Sequence, residues 1–343
     1  MCDTSATNAP SAEWGPHWAM WTAWPADKDL WGHNLQDAQA EIVAMCWALL
    51  DAHQGREGDR IKLLVSDEAA LADAKRQLGA LVDYVLTPYG DIWLRDTGPV
   101  FLTQTLAAGF NFNGWGGKYE LPHDDTVADR LAAFADAKYE RFQFVLEGGA
   151  IDGDGAGTVL TTRQCLLNSN RNPDWTSEAK AEACLQEALG ARKVIWLDDG
   201  LFNDHTDGHV DNLARFIAPG VVLCQSPMGP EDPNSHILDA VYEALLKATD
   251  ADGRALKVER IPSPGRIKLD GEVVPASHMN FVIGNASVVV PLYADTPITV
   301  QDDVIAKLQP LFPDRRVVGL PSDHILTGGG SFHCITQQQP AGG

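Results

Sequence analysis

No apolar run in this 343-residue chain approaches the roughly 20 residues that a membrane-spanning helix needs. The opening residues, MCDTSATNAP, carry neither a basic stretch nor an apolar core, so no secretory leader is expected. Basic residues are scarce: 26 Lys and Arg stand against 47 Asp and Glu, a formal net charge of −21. Nucleic acid is therefore not an expected partner, because gripping phosphates requires a basic surface. A field of this sign draws small cations instead, or serves solubility alone. The 6 cysteines are dispersed and form no close pairs, which excludes a disulfide framework or zinc ribbon and fits a reducing, cytoplasmic compartment. Neither a G-x-x-x-x-G-K-[ST] loop nor a G-x-G-x-x-G after a strand occurs, so nucleotide binding has no support. No low-complexity linker or charge run divides the chain, and a single catalytic domain over 1–343 is expected.

What is present is a recurring order of elements. After a tryptophan-dense start (Trp14, Trp18, Trp21, Trp24), helices are expected over 37–53 and 67–78, with strands over 61–65 and 81–86. Hairpins then follow at 97–104 with 108–113, 144–151 with 157–161, 209–217 with 221–225, and 280–283 with 287–292. Each precedes a helix (126–137, 177–189, 235–249, 301–311) and a further strand (142–146, 193–197, 256–261, 316–319). The strand–strand–helix–strand unit repeats about every 55–65 residues, a spacing that suggests radial repetition. Connections at one end of repeated strands converge, so polar clusters far apart in sequence can share a pocket.

Four such clusters stand at strand ends. In Gly328-Gly329-Gly330-Ser331-Phe332-His333-Cys334, three glycines suit a loop passing close to a ligand, and the cysteine is either a reactive thiol or a small buried hydrophobe. Asp91-Ile92-Trp93-Leu94-Arg95-Asp96 sets two carboxylates around Trp93, either as a turn with an internal Asp–Arg pair or as a cation site with Trp93 as a flat wall. His205-Thr206-Asp207-Gly208-His209-Val210-Asp211 has the look of a zinc run, but the alternation after Gly208 reads as strand, so His205 and His209 need not share a face. On a strand, His209 and Asp211 would share one, which is an acid/base arrangement. Glu147 ends an apolar strand, either capping a turn or orienting a histidine. Asp152–Gly157 lacks the ligands of a calcium loop and reads as a turn.

Six segments carry a resemblance: GPHWAMWTAWP, GDIWLRDTGP, FNGWGG, VLEGGAIDGDGAGTVLTTRQCLLNSNRNP, GHVDN and GGGSFHCITQQQP, in that order over nearly the whole chain. Together they resemble the agmatine deiminases of the peptidyl-arginine deiminase type, in the guanidine-modifying superfamily. The resemblance implies a five-bladed α/β propeller (pentein) of ββαβ-type repeats with pseudo-fivefold symmetry. It implies hydrolysis of agmatine to N-carbamoylputrescine and ammonia through a covalent amidino-cysteine, with no metal or organic cofactor. Carried over position by position, Cys334 is the nucleophile, His209 the general acid/base, Glu147 the carboxylate that orients it, and Asp96 and Asp211 the pair that binds the guanidinium. A planar, forked cation held by two carboxylates is sound chemistry in its own right. Departures at Ser331-Phe332, His205-Thr206-Asp207 and Ala214-Arg215 touch the outer pocket. Free or peptidyl arginine is the competing substrate, with Arg95 or Arg215 as partners for its carboxylate. Amidino transfer, polyamine binding without turnover, and zinc-dependent hydrolysis by His205, His209 and Asp211 compete with deimination itself. The partner expected is a small cationic guanidino compound, and the tryptophan-rich start would suit a homodimer contact.

Overall fold

Apolar strands and the amphipathic helices between them build one arrangement repeatedly in this computed structural model, which describes residues 9–342. Residues 1–8, with Cys2 and most of the stretch considered for a leader, lie outside the described residues, as does Gly343. Val100–Thr103 pairs antiparallel with Leu106–Asn111, which pairs in parallel with Lys138–Val145. The same order recurs in Asp152–Gly153, Thr158–Thr162 and Lys193–Leu197. It recurs in Ala214–Ala218, Val221–Ser226 and Lys257–Pro262, and in Val282–Ile283, Ser287–Leu292 and Arg316–Pro321. A further sheet, in the order Thr336–Pro340, His17–Ala23, Ile61–Val65 and Asp83–Leu86, joins the last strand to the first. The chain is α/β.

Parallel neighbours need a crossover, and a helix supplies each one. Glu68–Leu78 illustrates why these segments are helical. The Asp67 side chain accepts the Ala70 N–H at 2.8 Å, Glu68 lies in the first turn, and Lys75 and Arg76 lie in the last, each sign suited to its end of the dipole. The central strands are buried on both faces, which is why Ser287–Leu292 reads as the continuous apolar run SVVVPL. Of the four N-terminal tryptophans, Trp21 and Trp24 are fully buried and only Trp18 is exposed. Among the described residues, no helix is long and apolar enough to cross a membrane.

The arms expected at 97–104 and 280–283 begin later, at Val100 and Val282, and two other hairpins differ more, both at the polar clusters. The stretch 144–151 is not a hairpin arm. Lys138–Val145 is the parallel strand, Gly148–Ala150 forms a 3-10 turn, and pairing resumes only at Asp152–Gly153. The Gly149 N–H leaves the ladder because it donates to Asp96 Oδ1 at 2.9 Å. The arm expected at 209–217 likewise begins at Ala214, preceded by a 3-10 turn over Val210–Asn212. His209 and Asp211 therefore do not share a strand face. The Asn280 amide holds this turn instead, donating to Asp211 Oδ2 at 3.3 Å and Asn212 Oδ1 at 3.0 Å.

Candidate active site

Turns at the strand ends bring the polar clusters together. Cys334 occupies the turn before the closing strand, where its carbonyl accepts the Arg95 N–H at 3.0 Å. Its N–H donates to Asn280 Oδ1 at 3.2 Å, so residues 54 positions apart fix the cysteine backbone. The sulfur lies 3.0 Å from Asn280 Nδ2 and 3.6 Å from Asp211 Oδ2. It faces a cavity of about 460 Å³, lined also by Asp96, Trp93, Trp115, Tyr119 and His205, a volume suited to a small organic ligand. The glycine run is needed for space: a Cβ on Gly330 would stand 2.7 Å from the Trp93 ring and 3.1 Å from the Cys334 sulfur.

Asp96 lies on the single helical turn Leu94–Thr97, and its carboxylate accepts from the Gly149 N–H and the Trp115 indole, both at 2.9 Å. His209 Nδ1 stands 3.7 Å from Asp96 Oδ1. Gly149 is the hub of the arrangement. A Cβ there would meet His209 Nδ1 at 2.5 Å, Asp96 Oδ1 at 2.9 Å and Asp211 Oδ2 at 3.1 Å, so only glycine leaves these three groups together. Glu147 is buried and accepts the Arg171 Nε–H at 2.6 Å; it, Cys165 and His209 offer donor atoms within 4.8 Å of one another. Both His209 ring nitrogens and Asp211 Oδ1 lack hydrogen-bond partners within the protein, in a setting where buried polar atoms are ordinarily paired.

Burial and neighbouring charge set the protonation states. Burial pushes the Cys334 thiol up, the Asp211 and Asp96 carboxylates push it further, and it stands well above the ordinary cysteine range. Burial pushes His209 down, but the Asp96 carboxylate, Cys165 and Glu147 outweigh it and hold the imidazole well above its ordinary value. Burial likewise raises Asp96, against the pull of His209. Asp211 goes the other way: burial raises it, yet the His333 hydrogen bond and the charges of His333, His209 and Arg215 keep it below the usual carboxylate value. The free site thus holds a thiol, an imidazolium and carboxylates of unequal acidity.

The structure brings Cys334, His209, Glu147, Asp96, Asp211 and Trp93 into one region, and corrects other expectations. Arg95 and Arg215 do not face the cavity. Arg95 donates to Glu13, Gln338 and the His333 carbonyl, while Arg215 is tied to Asp152, Glu13 and two backbone carbonyls. His205 is exposed at the rim, its Nδ1 2.9 Å from the Tyr119 hydroxyl, and does not join His209 as a metal pair. Glu147, Cys165 and His209 form the one group of three potential metal donors among the described residues, with Glu147 already ion-paired to Arg171. Asp91 pairs not with Arg95 but with the Trp31 and Trp93 indoles, at 3.0 and 2.8 Å, and burial pushes it up to about 6. Asn280, Arg171, Trp115, Cys165 and His333 escaped the sequence reading as functional residues. Trp115 and Arg171 lie inside the FNGWGG and NSNRNP segments, so a signal was there; Asn280 had none.

The family model of Porphyromonas-type peptidyl-arginine deiminase matches residues 9–340. The chain is 38% identical to the agmatine deiminase of Stutzerimonas stutzeri (strain A1501), covering 96% of this chain and 95% of that one. Among solved structures, the agmatine deiminase of Enterococcus faecalis superposes with a TM-score of 0.88 at 32% identity, over 97% of this chain and 96% of that one. A cysteine-to-serine variant of the agmatine deiminase of C. jejuni with substrate bound superposes with a TM-score of 0.86 at 26% identity, again over 97% and 96%.

Proposed function

The chain belongs to the Porphyromonas-type peptidyl-arginine deiminase family, and from that premise we propose that it hydrolyses agmatine to N-carbamoylputrescine and ammonia. The observation that carries this reading is the Cys334 sulfur, 3.6 Å from Asp211 Oδ2, on a residue that lines the same cavity as Asp96. Two carboxylates from separate segments beside one sulfur suit a planar cation presented to a nucleophile.

Asp96 and Asp211 bind the guanidinium and direct its trigonal carbon at Cys334, while the aromatic walls of Trp93 and Trp115 enclose the chain. Burial and two carboxylates hold the thiol protonated; arrival of the cation offsets the carboxylates, so the sulfur gives its proton to solvent as substrate binds. The thiolate forms a C–S bond to the guanidinium carbon. The His209 imidazolium gives its proton to one terminal nitrogen, the C–N bond breaks, and ammonia leaves an amidino-thioether on Cys334. Neutral His209 then takes a proton from water as its oxygen bonds to the same carbon. Cleavage of the C–S bond returns the thiolate and frees the protonated ureido product, which gives its surplus proton to the thiolate and so restores the thiol; the ammonia released earlier takes up in solvent the proton lost on substrate binding. Glu147, fixed by Arg171, steadies the imidazole from behind.

Agmatine is preferred over arginine because Arg95 and Arg215 are both committed elsewhere, and Lys118 at the cavity rim is paired with Asp207 at 2.6 Å. We read the recurring sheets as the blades of a five-bladed α/β propeller forming a single catalytic domain. The enzyme is expected to act in the cytoplasm without metal or organic cofactor, with Trp18 available to a homodimer contact. Ammonia release measured side by side from agmatine, arginine and an arginyl peptide tests the assignment. Agmatine should turn over fastest, with a Cys334 adduct in quenched samples, and faster turnover of arginine would refute it.

A further inference from the structure

Behind the clamp lies a buried chain of groups that the reaction above does not use. His333 Nδ1 stands 2.8 Å from Asp211 Oδ2, and its Nε2 stands 2.9 Å from Glu13 Oε1. The ring is thus held on both nitrogens by carboxylate oxygens from residues 122 and 320 positions away. Ionised carboxylates only accept, so with both ionised each ring nitrogen donates and the ring is a cation. Glu13 is held in turn by Arg95 Nη1 at 3.2 Å and by Arg215 Nη2. His333 is 1% exposed and Asp211 is fully buried, so their contact is shut off from bulk water, while Glu13 on the other side of the ring is partly exposed. The His333 N–H also donates to the Asn280 backbone carbonyl, and Asn280 is the residue whose amide touches Cys334 and Asp211.

We propose that His333, clasped from behind by Glu13, is a positioning residue that holds Asp211 in place and ionised for the incoming guanidinium. This rests on the assignment of Asp211 to that cation. The need for such a device follows from what surrounds Asp211. Cys334 and Asp96 face it from the cavity side, and Asp96 is a carboxylate that opposes its ionisation. His209 and Arg215 oppose that effect from its own segment, and His333 does so from the turn that carries Cys334. Of these, only His333 makes a direct charged hydrogen bond to Asp211, and such bonds are about twice as strong as neutral ones.

The test replaces His333 by glutamine and, separately, by asparagine, and follows kcat/KM for ammonia release from agmatine over pH 5–9. Asp211 must lose its proton to bind the cation. Without the ring it does so at higher pH: the shift expected from losing a nearby opposite charge is about one to three units, enough at its upper end to carry Asp211 past Asp96 and move the acidic limb up with it. The loss is expected mainly in KM, is largest at the acid end of the range, and should shrink as the pH rises. A purely structural role would lower activity equally at every pH. A variant that folds, as judged by its circular dichroism, and shows an unmoved acidic limb would overturn the proposal. The two amides differ in reach by one methylene, so one folded variant suffices. Absence of agmatine turnover in the wild-type enzyme would instead refute the substrate assignment itself.

Discussion

Replacing Arg171 with methionine removes the partner of a carboxylate enclosed on every side. Arg171 and Glu147 are each 1% exposed and joined at 2.6 Å, and Arg171 also reaches Asp207 at 2.5 Å and the Thr206 carbonyl at 2.8 Å. Deleting one partner of a buried pair costs about 3–5 kcal/mol, because the survivor stays buried without compensation. Arg171→Met should fall in that range. Glu147→Gln should cost about 2–3 kcal/mol, since the guanidinium keeps Asp207 and the amide can still accept. The double variant, with no orphaned charge at Glu147, should cost less than the two single costs combined by at least about 1.5 kcal/mol. Urea denaturation reads this directly from midpoints at unchanged slope. Single-variant costs that add to the double within about 0.5 kcal/mol would refute the coupling. Turnover should fall in all three variants, because stability recovered in the double does not restore the carboxylate behind His209.

Other consequences of the site are open to direct measurement. Trp115→Phe removes the indole hydrogen bond that pulls Asp96 down, so the acidic limb of kcat/KM should move to higher pH; a limb that stays put would show that Asp96 ionisation does not govern binding. An alkylating amidinium should label Cys334 at pH 7 at least about 100-fold faster than the neutral amide of the same size, because it brings the charge that frees the thiolate. Mass spectrometry follows that label, and Asp96→Asn should narrow the gap; equal rates would argue against cation-assisted ionisation. Gly149→Ala drives a methyl to 2.5 Å from His209 Nδ1, so kcat should fall about 100-fold with about 1–3 kcal/mol of destabilisation, read from initial rates and thermal midpoints. An unchanged kcat would show that the hub tolerates displacement.

The legible part of the fold was its rhythm. Apolar runs such as Ile61–Val65 and Lys193–Leu197, and the capped helix after Asp67, were readable because burial and helix ends leave local signatures. The turns carrying Glu147, His209 and Asp211 were not, because distant partners decide them. Period-two alternation extends a strand on paper through His209, while Asn280 and the packing around Gly149 end it in space. The same limit applied to charge. Arg95 and Arg215 stand in polar contexts that invite a ligand, and nothing local shows that Glu13 claims both. Cys334, Asp96 and Asp211 were readable as a candidate nucleophile and cation clamp only through the motifs around them, whereas the distances between them could be known only once the segments had met.

The pairing of Thr336–Pro340 with His17–Ala23 has a consequence for biosynthesis. The sulfur sits two residues ahead of that closing strand, so the ribosome makes it after every anchor it needs. Those anchors, from Glu13 to Asn280, emerge long before. With Cys334 as the proposed nucleophile, a nascent polypeptide cannot turn over substrate while they wait, and activity begins only when Thr336–Pro340 has docked against His17–Ala23.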